Sequence, residues 1–119
     1  MRSLVIKCTA GTDEPERANQ AFTVAAAGVA AGASVSLWLT GEASWLGLPG
    51  RAEEVSLPLA TPLAQMRDAV AAAGTLTVCT QCAARRELTE ADLVTGAVIR
   101  GAAAFVEEVM APGAQALVY

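Results

Sequence analysis

Histidine is absent from this 119-residue chain. Its absence removes Ser-His-Asp and Cys-His nucleophile schemes and the common imidazole metal sites. Aromatic residues make up only 4% of the chain, so a core here has to be built largely from Ala, Val and Leu. No apolar run approaches the roughly 20 residues that span a bilayer, and no membrane partner is expected. The first apolar stretch is short and is broken by Lys7 and Cys8, unlike a signal peptide. A cytoplasmic location is therefore expected, where thiols stay reduced and serve chemistry more often than structure. Eight basic residues face 12 acidic ones, for a net charge of −4. There is no basic stripe, which argues against direct nucleic-acid binding. Three cysteines, Cys8, Cys79 and Cys82, cannot make a four-thiolate zinc site alone, and neither a metal nor an organic cofactor is expected. Repeats, linkers and low-complexity segments are also missing.

What remains is a compact pattern of one domain, residues 1–119, with a hydrophobic fraction of 54% that is high for its size. Ser3 to Cys8 predicts a first strand, apolar enough at its centre to be covered on both faces. Asp13 follows as an N-cap, with Pro15 in the first turn and Glu16 closing a capping box, for a helix running to about Ala31. This strand–loop–helix has neither G-x-G-x-x-G nor a G-K-[ST] ending, and three carboxylates at the helix start would repel phosphate. Nucleotide binding is thus disfavoured. Ser34 to Leu39 alternates as a second strand, with Val35, Leu37 and Leu39 on one face and Ser34, Ser36 and Trp38 on the other.

Glu42 to Gly50 is an apolar loop containing Trp45, Leu46 and Leu48, either packed over the core edge or serving as a pocket wall or subunit contact. Glu53 to Leu57 suggests a short third strand. Pro62 opens a helix to about Ala73, with Leu63, Met66 and Val70 at helical spacing. Leu76 to Val78 is the next strand. Thr89 to Asp92 repeats the capping pattern, Ala97 to Arg100 is a brief extended piece, and Gly101 to Met110 is a last helix with Phe105, Val106 and Val109 on its apolar side. Gln115 to Tyr119 is a terminal strand. Strands alternating with helices imply a three-layer α/β/α architecture, a mainly parallel sheet of about five strands with flavodoxin-like layering.

The chemistry concentrates in Cys79-Thr80-Gln81-Cys82-Ala83-Ala84-Arg85-Arg86. A buried strand runs into a Cys-x-x-Cys that opens a helix, at the carboxyl end of a strand where open α/β sheets bind ligands. The partial positive charge and free N–H groups of a helix start favour thiolate over thiol. Arg85 and Arg86 lie about a turn beyond and are candidates for stabilising an anion. Cys79 and Cys82 are the candidate catalytic pair. The alternative is that the two thiols simply fill a core, as free cysteines often do. Cys8 also ends a strand. It either opens into the same crevice as Cys79, if their strands are neighbours, or is a buried core thiol. Thr9, Thr40, Gly41 and Trp45 are candidate pocket residues by their place at strand ends.

That order of elements, with Cys79-x-x-Cys82-Ala-Ala-Arg-Arg, the following Gly96-Ala97-Val98-Ile99-Arg100-Gly101-Ala102-Ala103 and the closing Leu117-Val118-Tyr119, resembles the DsrE/DsrF-like family. The resemblance implies a small α/β/α protein of sulfur oxidation or tRNA thiolation, assembled as a trimer or hexamer. It also implies a persulfide on Cys79 and sulfur donor and acceptor proteins as partners. Many members of unassigned function follow their Cys-x-x-Cys with Arg-Gly; here Glu87 stands where that glycine is usual. Two other functions are consistent with the residues themselves: a thiol–disulfide redox protein or sensor cycling Cys79 and Cys82, or a non-enzymatic assembly or regulatory subunit. Trp38, Trp45, Leu46 and Leu48 are expected at a subunit boundary near the thiols, because leaving several large apolar side chains in water forfeits roughly 1.5–3 kcal/mol each.

Overall fold

The computed structural model describes residues 2–119. Five strands form one all-parallel sheet: β1 (Ser3–Cys8), β2 (Ser34–Leu39), β3 (Thr75–Cys79), β4 (Ala97–Arg100) and β5 (Ala114–Val118), in the spatial order β4-β3-β2-β1-β5. Four α-helices connect them: α1 (Pro15–Ala30), α2 (Leu63–Ala73), α3 (Thr80–Arg85) and α4 (Ala102–Val109). The chain steps from β1 to β4 in one direction and then returns across the sheet, so β5 lies on the far side of β1. Because all strands are parallel, their carboxyl ends share one edge of the sheet.

Alternation along the strands divides the side chains between two unlike faces. Ile6, Cys8, Val35, Leu37, Leu39, Leu76 and Val78 point to one face and form the main core with Ala18, Ala21, Phe22 and Ala25 of α1 and Leu63, Met66 and Val70 of α2. Small residues permit close approach here. At Gly28 of α1 an added Cβ would come within 2.9 Å of Val35. The opposite face carries Val5, Lys7, Ser36, Trp38, Thr77 and Cys79, and it is met by α4. None of the residues of α4 is buried. One layer is therefore deep and the other thin.

Several expectations change in this frame. Glu53 to Leu57 is not a strand. Ala52–Glu54 forms a 3₁₀ turn and the following residues are irregular. The cause is side-chain chemistry: Glu53 pairs with the buried guanidinium of Arg67 at 3.1 Å, and Glu54 with Arg51 at 3.0 Å. Cys79 consequently follows the third strand, not a fourth. Asp13 does not cap α1. Its Oδ1 accepts from the Gly11 N–H at 2.8 Å, behind the helix, while Glu14 occupies the N-cap position without a side-chain cap. The capping pattern at Thr89 does form, with Asp92 accepting from the Thr89 N–H and hydroxyl.

Trp38 is fully buried, and its cover is α4 of its own chain, not a partner. Phe105 meets it edge-on at 5.4 Å between ring centroids, and Glu108 Oε1 accepts from its Nε1 at 3.0 Å. The Trp45 loop is a 3₁₀ helix, Gly41–Gly47, that buries Leu46 in the main core. Val106, placed on the apolar side of the last helix by its spacing, is exposed instead. Met110, Leu117 and Val118 are exposed as well, Val118 on the α4 face of β5 and Leu117 on the opposite one. No described helix is long and apolar enough to cross a membrane.

Candidate functional site

Cys79 ends β3 and is the N-cap of α3, with φ −63° and ψ 134°. The turn from strand to helix at this point leaves the first amides of α3 without helical partners. The Cys79 thiol makes use of them. Its partial burial raises the pKa, but the N–H groups of Cys82 and Gln81, the Cys82 side chain and the charge of Lys7 together hold it below that of an ordinary thiol. The thiol is half-buried and free, as is Cys82. Among the described residues no cluster of three or more Cys, Asp or Glu is arranged to hold a metal.

Cys82 sits one turn along α3 and accepts the Gly41 N–H on its Sγ at 3.2 Å. Gly41 has φ 54°, in the left-handed region that glycine adopts freely. The 41–43 segment is pressed against the loop after β1: a Cβ on Gly11 would lie 2.5 Å from the Glu42 carbonyl oxygen. The end of β2 thereby fixes Cys82. Arg86 donates to the Cys82 carbonyl at 3.1 Å and to Glu42 Oε2 at 2.8 Å, closing a bracket between α3 and the 3₁₀ helix. Trp45 completes it, half-buried, with Nε1 donating to Glu42 and its ring facing the guanidinia of Arg51 and Arg86.

Of the residues nominated from sequence, the structure gathers Cys79, Cys82, Gly41, Arg86 and Trp45 around one strand end. Arg86 is occupied by Glu42, and Arg85 is exposed and forms no salt bridge. Thr40 continues β2 with its N–H bonded to the Cys8 carbonyl. Thr9 lies further off, its N–H and hydroxyl both donating to the Tyr119 carbonyl. Cys8 does not share the thiol crevice. Its strand is separated from β3 by β2, its side chain faces the main core, and it is wholly buried with Sγ donating to the Ala10 carbonyl. Burial pushes its pKa up to about 11. Lys7 was not nominated, yet it is the cation whose field lowers Cys79. Strand alternation alone puts Lys7 on the face opposite Cys8; only the β3-β2-β1 order shows that this is also the face of Cys79.

α3 ends in a Schellman motif: the Leu88 N–H bonds the Ala83 carbonyl at 2.9 Å and the Glu87 N–H bonds that of Ala84 at 3.1 Å. The motif needs a left-handed residue at its corner, and Glu87 supplies it with φ 56°. A glutamate thus adopts a backbone conformation that glycine adopts more readily.

A family model described as DsrE/DsrF-like matches residues 2–114. The chain belongs to the DsrE/DsrF-like family. The five-stranded parallel sheet agrees with the solved structures similar to it. The crystal structure of the YchN protein from E. coli superposes with a TM-score of 0.83 at 18% identity, all of both chains being covered. MTH1491 from Methanobacterium thermoautotrophicum, a protein of unknown function, gives 0.72 at 9% identity, again over the whole of both chains. At these identities the likeness concerns the fold alone. A comparison with curated proteins finds no match. The DsrE/DsrF-like frame places the accessible thiol of this chain on a strand end with an adjacent helix start. That arrangement can generate a nucleophilic thiolate without a metal or a histidine base.

Proposed function

We propose that this DsrE/DsrF-like chain is a cytoplasmic sulfur-relay protein that carries a persulfide on Cys79. The observation that carries the proposal is the place of free, half-buried Cys79, at the carboxyl end of β3 and as the N-cap of α3, where the Gln81 and Cys82 N–H groups face its sulfur and favour the thiolate. The thiolate is the nucleophile in sulfur chemistry. Cys79–S⁻ attacks the terminal sulfur of a donor persulfide R–S–SH, forming Cys79–S–SH and releasing R–S⁻. Cys82 is the assisting or resolving thiol. Its thiolate attacks Cys79 Sγ, expels HS⁻ and leaves a Cys79–Cys82 disulfide, so that the outer sulfur is reduced as the two cysteines are oxidised. The N–H groups of Gln81 and Cys82 favour the anion throughout, and the Arg86 bracket holds α3 against the 3₁₀ helix. The test is incubation with a cysteine desulfurase and cysteine, followed by peptide mass spectrometry for a sulfur atom added to Cys79.

Thiol–disulfide exchange by the same pair is a second reading, favoured by the interaction of the Cys82 side chain with Cys79. It requires turnover of a test disulfide, which the relay does not. A homo-oligomer, trimer or hexamer, is supported by the exposed Val106, Met110 and Val118, with Leu117 exposed on the other face of β5. β5 is an edge strand whose outer side is unpaired, the kind of edge that joins another chain. Trp38, buried under α4, drops out as a boundary residue, while half-buried Trp45 remains a candidate in addition to these residues. Light scattering at micromolar concentration tests the homo-oligomer, with Val118→Lys and Met110→Lys expected to yield monomer.

A further inference from the structure

Four of the eight cations of this chain are held in salt bridges. Arg17, Arg51, Arg67 and Arg86 each pair with a carboxylate. Among the described residues Arg2, Lys7, Arg85 and Arg100 form no salt bridge, and of these Lys7 and Arg100 stand on strands and share the α4 face with Cys79. Arg100 is the direct register partner of Cys79 across the β3–β4 pair. Register partners in a parallel pair lie about 4.8 Å apart and project from the same face. Lys7 is in register with Trp38, which is in register with Thr77, and Cys79 is the next residue of β3 on that face. The Lys7 ammonium is held 4.3 Å over the Phe105 ring, whose edge contact is Trp38. Glu108, the α4 carboxylate nearest these rings, is engaged by Ser36 and Trp38. Cys79 thus has Arg100 as its register neighbour and lies within the field of Lys7; the nearby carboxylates, Glu108 and Glu90, hydrogen-bond to Ser36 and Trp38 and to the Ile99 N–H, not to these two cations.

We propose that Lys7 and Arg100 form an anion subsite beside Cys79 that selects small sulfur compounds bearing carboxylate groups, such as a glutathione-like persulfide, over neutral or cationic ones. The inference rests on Cys79 being the attacking thiolate. When Cys79–S⁻ takes the outer sulfur from R–S–SH, the departing R–S⁻ and its carboxylates remain beside the two cations. Lys7 and Arg100 are positioning residues: they gather and orient the anion, and neither exchanges a proton or a bond with sulfur.

The test uses the 119-residue chain with Cys82→Ser in every arm, so that Cys79 is the one accessible thiol. Its reaction rate is compared for dithiobis(nitrobenzoate), which carries two carboxylates, neutral dithiodipyridine and cationic cystamine. In each case Cys79–S⁻ forms a mixed disulfide and expels one thiolate. Any change in thiolate fraction affects all three probes alike and cancels in their ratio. Lys7→Met and Arg100→Gln should each lower the anionic-to-neutral ratio about two- to threefold, as expected for a unit charge ~7 Å away in a water-like dielectric. The cystamine ratio should rise, and added salt should shrink both effects. Lys7→Arg and Arg100→Lys should keep the parent ratio, which a merely structural role would not ensure. A ratio unchanged in both charge-removing variants, or insensitive to salt, overturns the proposal. Arg100 is exposed, so its substitution reads out even if Lys7→Met fails to fold. Failure of the persulfide assay leaves these ratios readable, so the two failures are told apart.

Discussion

Replacing Glu108 by Ala should loosen α4 from the sheet while leaving the main core intact. Glu108 Oε1 accepts from the indole N–H of Trp38 at 3.0 Å and from the Ser36 hydroxyl at 2.5 Å. Trp38 is only 1% exposed, so the substitution strands a buried donor. Hydrogen bonds to a charged group contribute about 1.5–3 kcal/mol, and an unpaired buried donor costs about 1–3 kcal/mol. Both bonds fall on one oxygen and Ser36 can turn to water, so a loss of about 2 kcal/mol is expected, roughly thirtyfold in the equilibrium that docks α4. No residue of α4 is buried, so that loss should appear as local opening before global unfolding. In a Trp45→Phe background, Trp38 emission should shift to the red and become accessible to acrylamide at urea concentrations where the far-ultraviolet dichroism is still native. Glu108→Gln keeps an acceptor and should lie between the two. Trp38 emission, quenching and unfolding midpoint all unchanged in Glu108→Ala would refute the role given to this carboxylate.

Glu87→Gly should stabilise the chain by about 0.5–1 kcal/mol, because φ 56° at the corner of the Schellman motif penalises an L-residue more than glycine's added chain entropy costs; chemical denaturation checks it, and a lower midpoint contradicts it. Gly11→Ala should destabilise by about 1–3 kcal/mol, since its Cβ meets the Glu42 carbonyl at 2.5 Å. The displaced 41–43 segment should also weaken the Gly41 bond to Cys82, seen as altered Cys82 alkylation in a Cys79→Ser background. Cys8, with its pKa raised from 9.0 to about 11, contributes stability that is present below pH ~9 and is lost as pH rises toward 11, because the unfolded thiol ionises first. The loss should reach about 2–3 kcal/mol at the alkaline end, and Cys8→Ala should abolish it in urea titrations. In the native protein Cys79 should alkylate with a midpoint below the ordinary thiol range while Cys8 stays silent.

Much of this architecture was legible in local pattern. The alternation of Val35, Leu37 and Leu39 and the apolar runs at Ser3–Cys8 and Thr75–Cys79 each marked a strand, and the change to Gln, Ala and Arg after Cys79 marked α3. Glu53 to Leu57 misled because its Glu-Val-Ser-Leu alternation has the strand period. The 3₁₀ turn at Ala52–Glu54 comes from ion pairs to Arg67 and Arg51, and one of these partners is 14 residues away. Trp38 misled for a related reason. Its serine-lined face looks exposed until α4, some 70 residues on, crosses back over the sheet and lays Phe105 and Glu108 against it. Around the thiols, Cys79 and Cys82 were legible by spacing and by their place at a strand end. The Arg85-Arg86 pair drew attention by adjacency, whereas the cations on the Cys79 face are Lys7 and Arg100, brought there by strand order and register. Glu87 stands out in the structure by its left-handed backbone, at the corner where α3 ends.

The central claim is that Cys79 accepts sulfur, and peptide-resolved mass spectrometry after incubation with a cysteine desulfurase tests it most directly. The account predicts one added sulfur atom on the peptide containing Cys79, released by a reducing agent, abolished by Cys79→Ser and retained, with a longer lifetime, in Cys82→Ser. A Cys79 peptide of unchanged mass after exposure to several persulfide donors would contradict it.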